Sequence, residues 1–210
     1  NEDVLFGFSK GLYHPGKYYA DSPEGYGSNK WGKPYANYHQ ENDDQQWEHP
    51  VYFELFEPHA QSAVLAATMG LTMHGGGTRT LPQKSLYLLA RNTEYGTDYL
   101  NYQLFPDLPA QRYKRFLLRN SGNDWYGAAS AGIATMLRDA VFHNIVSSLN
   151  IQYMAYRPAL VYINGIYWGI HNQRESLDKH YLNSRYNLDP DNIDILMHVE
   201  EDNNDISIQR

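Results

Sequence analysis

The residues best suited to chemistry lie together in His74-Gly75-Gly76-Gly77-Thr78-Arg79-Thr80-Leu81-Pro82-Gln83-Lys84-Ser85. Three consecutive glycines leave backbone N–H groups uncovered and reach dihedral angles that other residues avoid. Such a turn can cup an anion, and its low bulk lets a phosphate approach closely. Arg79 can fork onto phosphate oxygens. Lys84, at the start of the next strand, is a point charge projected from a rigid element.

A Gly-rich turn over phosphates with a strand-borne Lys is a layout that kinases use. The same residues also make an ordinary hairpin, and the segment alone leaves both readings open. It is not a Walker A loop, because Gly-Lys-Ser/Thr is missing and no helix follows, and it is not a G-x-G-x-x-G loop. Metal chemistry has less to rest on. The nine His residues are scattered, with no helical pair at ligand spacing. His143 reads as an interfacial residue of a helix. Asp189, Asp191 and Asp194 resemble a calcium-loop fragment without its central Gly and terminal Glu, and so read as a turn. With no Gly-x-Ser-x-Gly elbow, a hydrolase triad has nothing to stand on. Glu54 and Glu57 read as solvent-facing. Arg138-Asp139 and Arg174-Glu175 are charged pairs bordering apolar segments. Glu175 follows a strand directly, where it can face a cleft or serve as an acid at the positive end of the next helix.

The elements that must position these residues begin at Pro50. Strands are predicted at Val51–Phe56, Ala66–Met73, Ser85–Arg91 and Arg115–Arg119. Ile133–Leu149 carries an apolar stripe at helical spacing (Ile133, Met136, Leu137, Ala140, Val141, Ile145, Leu149). Ala155–Ile163 and Tyr167–Gln173 flank Asn164-Gly165, the strongest short hairpin signal. Ser176 is expected to cap a second helix through about Tyr186, before a last strand over Ile193–Val199. This order predicts an α+β fold with a mainly antiparallel sheet and two principal helices. The division expected is an irregular Tyr/Gly/Pro-rich arm over 1–49, a domain over 50–199 and a polar tail over 200–210.

Composition bounds the partners. Hydrophobic residues make up 42% and charged residues 20%, a globular balance that argues against disorder. The net charge of −7, with no basic run, argues against nucleic acid. The absence of Cys removes disulfides, thiolate metal sites and thiol catalysis. No apolar run approaches the roughly 20 residues of a membrane span. The start at Asn1 reads as a piece of a longer, processed protein.

Several segments together resemble the CotH (spore coat protein H) kinase family. They are Trp47–Pro58, His74–Arg79 with Pro82–Ser85, Leu118–Trp125, Met136–Asp139, Tyr156-Arg157-Pro158, and Tyr162–Ile170 with Arg174-Glu175. Gly11-Leu12-Tyr13 is similar to the arm ahead of this domain in bacterial surface members. The resemblance implies the N-terminal lobe of an atypical protein kinase, exported to an extracellular, cell-surface or periplasmic location. It implies ATP with Mg2+ or Mn2+ in the full-length protein, and a nucleotide site of Gly75, Gly76, Gly77, Arg79, Lys84 and Glu175. The helix with Arg138 and Asp139 would take the place of the regulatory helix. The catalytic Asp residues are expected beyond Arg210, so this fragment is expected to be inactive. The alternative is a non-catalytic surface or spore-coat domain that binds protein or glycan through arm aromatics such as Tyr18, Tyr19, Tyr26, Trp31, Tyr35 and Tyr38.

Overall fold

The computed structural model describes residues 2–16, 36–39, 41–42, 45–126, 132–199 and 206–209. The arm aromatics Tyr18, Tyr19, Tyr26, Trp31 and Tyr35 lie outside the described residues, while Tyr38 lies within them.

Six strands build the main sheet: β1 (His49–Leu55), β2 (Leu65–His74), β3 (Ser85–Leu89), β4 (Arg115–Arg119), β5 (Tyr156–Ile163) and β6 (Ile166–Arg174). Their order is β1-β2-β3-β4-β6-β5, and every neighbouring pair is antiparallel. With the helices below, this is the expected α+β fold. In β1, half-buried Val51, Phe53 and Leu55 alternate with exposed Pro50, Tyr52 and Glu54, as a strand with one covered face requires. Pro50 and Pro158 sit on the two edge strands, where a missing N–H costs no ladder bond. Asn164 and Gly165 join β5 to β6 with φ of 51° and 81°, the double left-handed turn that matches strand twist.

One face of the sheet carries the core. Met69, Leu71 and Met73 from β2, Leu86 and Leu88 from β3, and Phe116 and Leu118 from β4 are buried together. Leu100, Leu104, Phe105, Leu108 and Tyr113, from the segment between β3 and β4, cover them. The arm belongs to the same core. A short helix, α1 (Glu2–Phe6), contributes Leu5, and the turn after it contributes Leu12. Phe6, Tyr13 and Trp168 form an aromatic nest with ring centroids 5.1–5.3 Å apart.

Among the described residues two longer helices lie outside the sheet, one between β4 and β5 and one after β6. The first, α2 (Arg138–Val146), is shorter than the apolar stripe suggested. Met136 takes a positive φ of 58° just before it, and Asp124 supplies the start signal from another turn. Its carboxylate accepts from the backbone N–H groups of Thr135 at 2.9 Å, Leu137 at 3.0 Å and Arg138 at 3.1 Å. The stripe is also not core: Ala140 is buried, but Phe142 is 68% and Ile145 61% exposed. The second, α3 (Lys179–Tyr186), is capped by Asp178, which accepts from the His180 and Tyr181 N–H groups. Ser176, the expected cap, instead accepts from the Tyr87 hydroxyl at 3.0 Å. Within the expected tail, Ile206–Gln209 pairs antiparallel with Ile195–Val199. Among the described residues no helix is long and apolar enough to cross a membrane.

Candidate functional site

The Gly-rich turn closes one end of the sheet, between β2 and β3. Gly75 takes a φ of 105°, which only glycine adopts readily. A Cβ added to Gly76 would meet nothing within 4 Å, so the space beside the turn is open. Gly77–Thr80 then forms a single 3-10 turn.

The residues that follow fasten this turn from behind. Gln83 donates to the Ile170 carbonyl at 2.8 Å and accepts from the Trp125 indole at 2.6 Å. The Ser85 hydroxyl donates to the Asn120 side chain at 2.8 Å, and Asn120 donates to the Gln83 carbonyl. Lys84 precedes β3 in step with Leu86 and Leu88, so its side chain takes the core face. It is 3% exposed. Its ammonium donates to the carbonyls of Arg79 at 2.5 Å and Leu81 at 3.1 Å, and it lies 4.1 Å from the Tyr38 ring centroid. Burial lowers its pKa to about 8. Arg79 is also buried, and its guanidinium donates to the Tyr38 carbonyl at 3.4 Å. The structure therefore brings Gly75, Gly76, Gly77, Arg79 and Lys84 together, with both cations turned toward the arm.

Glu175 lies elsewhere. By register Arg174, the last residue of β6, lies level with Leu117 on β4, Tyr87 on β3 and Thr72 on β2, so Glu175 follows just past the end of β6, three strands across from β2. Glu175 is buried, accepts from the Ala155 N–H at 2.8 Å and pairs with Arg185 of α3. The pairing raises the Arg185 pKa: burial opposes the charge, and the hydrogen bonds to Glu175 outweigh it.

A different set of charges lines the face opposite the core. Asn172 and Arg174, two residues apart on β6, both project there. The Asn172 amide donates to the Met136 carbonyl at 3.0 Å, and Arg174 pairs with Asp139 on α2. Arg119, directly across from Asn172, donates to the same Asp139 carboxylate at 3.1 Å. His143, one helical turn on, places its ring 3.6 Å from the other Asp139 oxygen. Arg174 is fully buried, and burial is the main reason its pKa falls. Arg119 and Asp139 keep 31% and 30% of their side chains exposed. The acid of the helix thus pairs with two arginines on its own face, while Lys84 lies on the other.

His74, the last residue of β2, links the turn to this cluster. Its ring lies 5.5 Å from that of Tyr87. Burial first, then the positive charges of Arg119 and Arg79, push its pKa down to about 4, so the imidazole is neutral near pH 7. Gly122 is close by as well: its added Cβ would sit 3.6 Å from the Arg119 guanidinium and 3.9 Å from Thr78. The arrangement is a bare-backbone turn beside two guanidiniums that share one carboxylate, which leaves a surplus positive charge reachable from solvent. Such a site can hold an anion. Among the described residues no three His, Asp or Glu side chains converge as metal ligands.

The cluster of Arg119, Asp139, Arg174 and His74 was not assembled from the sequence. Its members lie inside the family-like segments, but the Arg119–Asp139 and Arg174–Asp139 pairs span 20 and 35 residues, beyond any local spacing rule.

Comparison with known proteins identifies the chain at the family level. No curated protein matches the chain. The family model described as CotH kinase protein matches residues 71–209, from within β2 through the final strand pair. That match spans well over half of the 210 residues and includes the Gly-rich turn, α2 and the arginine cluster. The chain belongs to the CotH kinase family.

Proposed function

We propose that this chain is the nucleotide-gripping part of a CotH-type phosphotransferase, and that the phosphates of ATP lie against the Gly-rich turn beside Arg119. One observation supports the reading above the others: Arg119 and Arg174 face a single carboxylate next to uncovered backbone. Phosphoryl transfer depends chiefly on positioning and on neutralising spread negative charge. In this reading Gly75–Gly77 lie along the phosphates and Arg119 donates to their oxygens. Asp139 and buried Arg174 hold the Arg119 side chain in place. Lys84 and Arg79 shape the turn from behind. Mg2+ or Mn2+, if bound, would supply further neutralising charge, and in this reading its ligands and the catalytic base belong to another part of the parent protein. The family also supports an exported parent acting on a protein at a spore coat or cell surface.

Calorimetric titration of the chain with ATP–Mg2+ tests this reading. The wild type binds, and Arg119→Ala binds about tenfold more weakly, the loss expected for roughly 1.4 kcal/mol of ion contact. Equal affinities in the two proteins overturn the assignment. A second reading, a surface domain that binds protein or glycan, is favoured by the exposed ring pair Tyr162–Tyr167 on the hairpin, with centroids 5.6 Å apart. Glycan binding that Tyr162→Ala abolishes, with no heat from ATP, would select it.

A further inference from the structure

The first half of β2 has a neighbour on one side only. β1 pairs with it from Leu55 opposite Leu65 to His49 opposite Leu71. On the other side β3 pairs with β2 only from Gly70 to His74. Among the described residues no strand pairs with Leu65–Met69 on that side. Pro50 sits opposite Gly70 and has no N–H to give, so Gly70 turns its own polar groups toward β3. Ala90 agrees: its N–H donates to Lys114 across β3 at 2.8 Å, so Leu89, opposite Gly70, faces β2. With a period of two, Thr68 and Ala66 point their N–H and C=O groups the same way, where β3 has ended. Both residues are exposed.

The chain leaves β3 through a single helical turn, Asn92–Tyr95, which Gly96 ends with a φ of 70°. The Tyr95 ring closes one end of the gap, since a Cβ on Gly70 would meet it at 2.7 Å. Gly96–Asn101 forms the far wall. Together with Leu65, Ala66 and Ala67 it lines a cavity of about 370 Å3, a size that suits a ligand. The wall is pinned from behind. The Lys114 ammonium donates to the Asp98 carbonyl at 2.9 Å and its carboxylate at 2.7 Å. The Arg112 guanidinium lies 3.5 Å from the Tyr99 ring centroid, and Leu100 and Asn101 pair with Tyr113 and Arg112.

We propose that this slot takes an extended segment of a partner protein, which adds to the free edge of β2 as an antiparallel strand in line with β3 and carries alternating apolar and basic side chains. Backbone bonds to Ala66 and Thr68 supply affinity, and the side chains supply specificity. Every second side chain of the added strand lies beside half-buried Leu65 and Ala67, which favours apolar residues there. The others share the exposed face of Ala66 and Thr68. Glu54 stands directly across from Ala66 on β1, is exposed, and has no cation partner among the described residues. The small Ala66 leaves a lysine of the added strand free to reach over it to Glu54. The charge of Asp98 is already met by Lys114. A second copy of the chain fits less well, because both outer strands of its sheet carry a proline, Pro50 on β1 and Pro158 on β5. The slot lies at the end of β2 remote from the Gly-rich turn, so strand addition there is independent of the nucleotide reading.

The test uses the full chain and a labelled probe peptide, Val-Lys-Val-Lys-Val, read by fluorescence anisotropy. Amide exchange followed by NMR reports on the Ala66 and Thr68 N–H groups. The peptide should bind and slow exchange at these two residues, and not along the outer edges of β1 and β5. In the antiparallel register the lysine N–H groups are the ones that face β2, so methylating both lysine nitrogens of the peptide backbone should abolish binding. Glu54→Gln, a surface change, should bind the probe about fivefold more weakly, the size expected of an exposed ion pair. A peptide with Glu in place of Lys should not bind. Equal affinity for the methylated peptide overturns the proposal, as does unchanged affinity in Glu54→Gln. Protection of Ala66 and Thr68 before any peptide is added also overturns it, since the edge is then already paired. None of these outcomes involves ATP, so ATP binding measured on the same protein bears on the proposed function alone.

Discussion

Arg174 and Glu175 are consecutive residues at the end of β6, yet each enters a different arginine–carboxylate centre. At Glu175 one guanidinium meets one carboxylate. Arg185 donates through Nε to Glu175 at 3.0 Å, donates to the Tyr153 carbonyl at 3.2 Å, and lies against the Tyr153 and Tyr181 rings. Little of either side chain reaches solvent. At Arg174 two guanidiniums, its own and that of Arg119, meet the carboxylate of Asp139, which stays partly open. The residue types are the same, so charge ratio and access make the difference. A closed one-to-one pair has no charge left for a ligand, whereas an open two-to-one cluster beside bare backbone has both the charge and the approach.

The largest expected effect lies at the closed centre. Glu175→Gln leaves the Arg185 guanidinium buried without its anion, and such a loss costs about 3–5 kcal/mol. For a chain of this size that lowers Tm by roughly 10 °C, as differential scanning calorimetry would read. ATP binding by the folded variant should not change. A wild-type Tm would mean that the Glu175 centre is as tolerant as the open one, and the contrast between them would disappear.

The next effect is one of pH, and it arises where the turn meets the open cluster. His74 has an ordinary pKa near 6.5 when unfolded and about 4 when folded. The unfolded chain therefore binds more protons between these values. The stability contributed by neutral His74 is fully present above pH 6.5, is eroded as pH falls below it, and is gone below about 4. The size is about 3 kcal/mol, since each tenfold change in proton affinity is worth about 1.4 kcal/mol. His180, half-buried near Arg115 and the other centre, is also held down to about 4, by desolvation and then the Arg115 charge, and adds to the same acid limb. Urea midpoints at pH 7.5 and 4.5 should differ less in His74→Gln than in the wild type. An unchanged difference would place His74 in solvent and cut its link to Arg119.

The sequence made one of these regions far more legible than the other. Strand alternation over 50–119 and the Asn164-Gly165 signal placed the sheet and hairpin within a residue or two, because period-two burial and a left-handed turn are local properties. Helical periodicity between Ile133 and Leu149 was real, but it records only that a face is apolar and not that anything covers it. In the folded chain that face is largely bare, and the helix starts late because Asp124 caps it from a distant turn. Ile206 and Ile208, spaced two apart in the tail, carried a strand signal masked by polar neighbours. At the site, Gly75–Gly77 were found by type alone. The direction taken by Lys84 was not, since it depends on Tyr13 and Tyr38, 71 and 46 residues earlier in the chain. The Asp139 cluster was hidden for the same reason.

Asp124 sets how well the open centre is held, and its removal should cost less than the first two changes. Its carboxylate accepts from Thr135, Leu137 and Arg138 and pairs with the Arg138 guanidinium. Burial works against its charge, and the donors from Thr135 and Arg138 outweigh burial and lower its pKa. Asp124→Ala removes a helix cap worth about 1–2 kcal/mol. The helix start should fray, and hydrogen exchange should speed up at Leu137–Val141 and not in β2 or β3. Fraying would carry Asp139 away from its arginines, so ATP affinity should fall along with it. Faster exchange with unchanged affinity would separate the helix from the anion site.

The smallest effect on stability should come from Arg119 itself, and its size decides which arginine of the open centre belongs to the fold and which to a ligand. Arg119 is about one-third exposed, so solvent screens its attraction to Asp139, and pairs of this kind contribute at most about 1 kcal/mol. Arg174 is fully buried, pairs with Asp139, and also donates to the Ala155 and Met154 carbonyls, so its loss should resemble that of a core group. A double-mutant cycle between Arg119→Ala and Asp139→Ala, read from urea unfolding, should return a coupling below about 1 kcal/mol. A large coupling would make Arg119 a structural partner of Asp139, with its charge already spent, and the surplus positive charge that distinguishes the open centre would not be there to meet a phosphate.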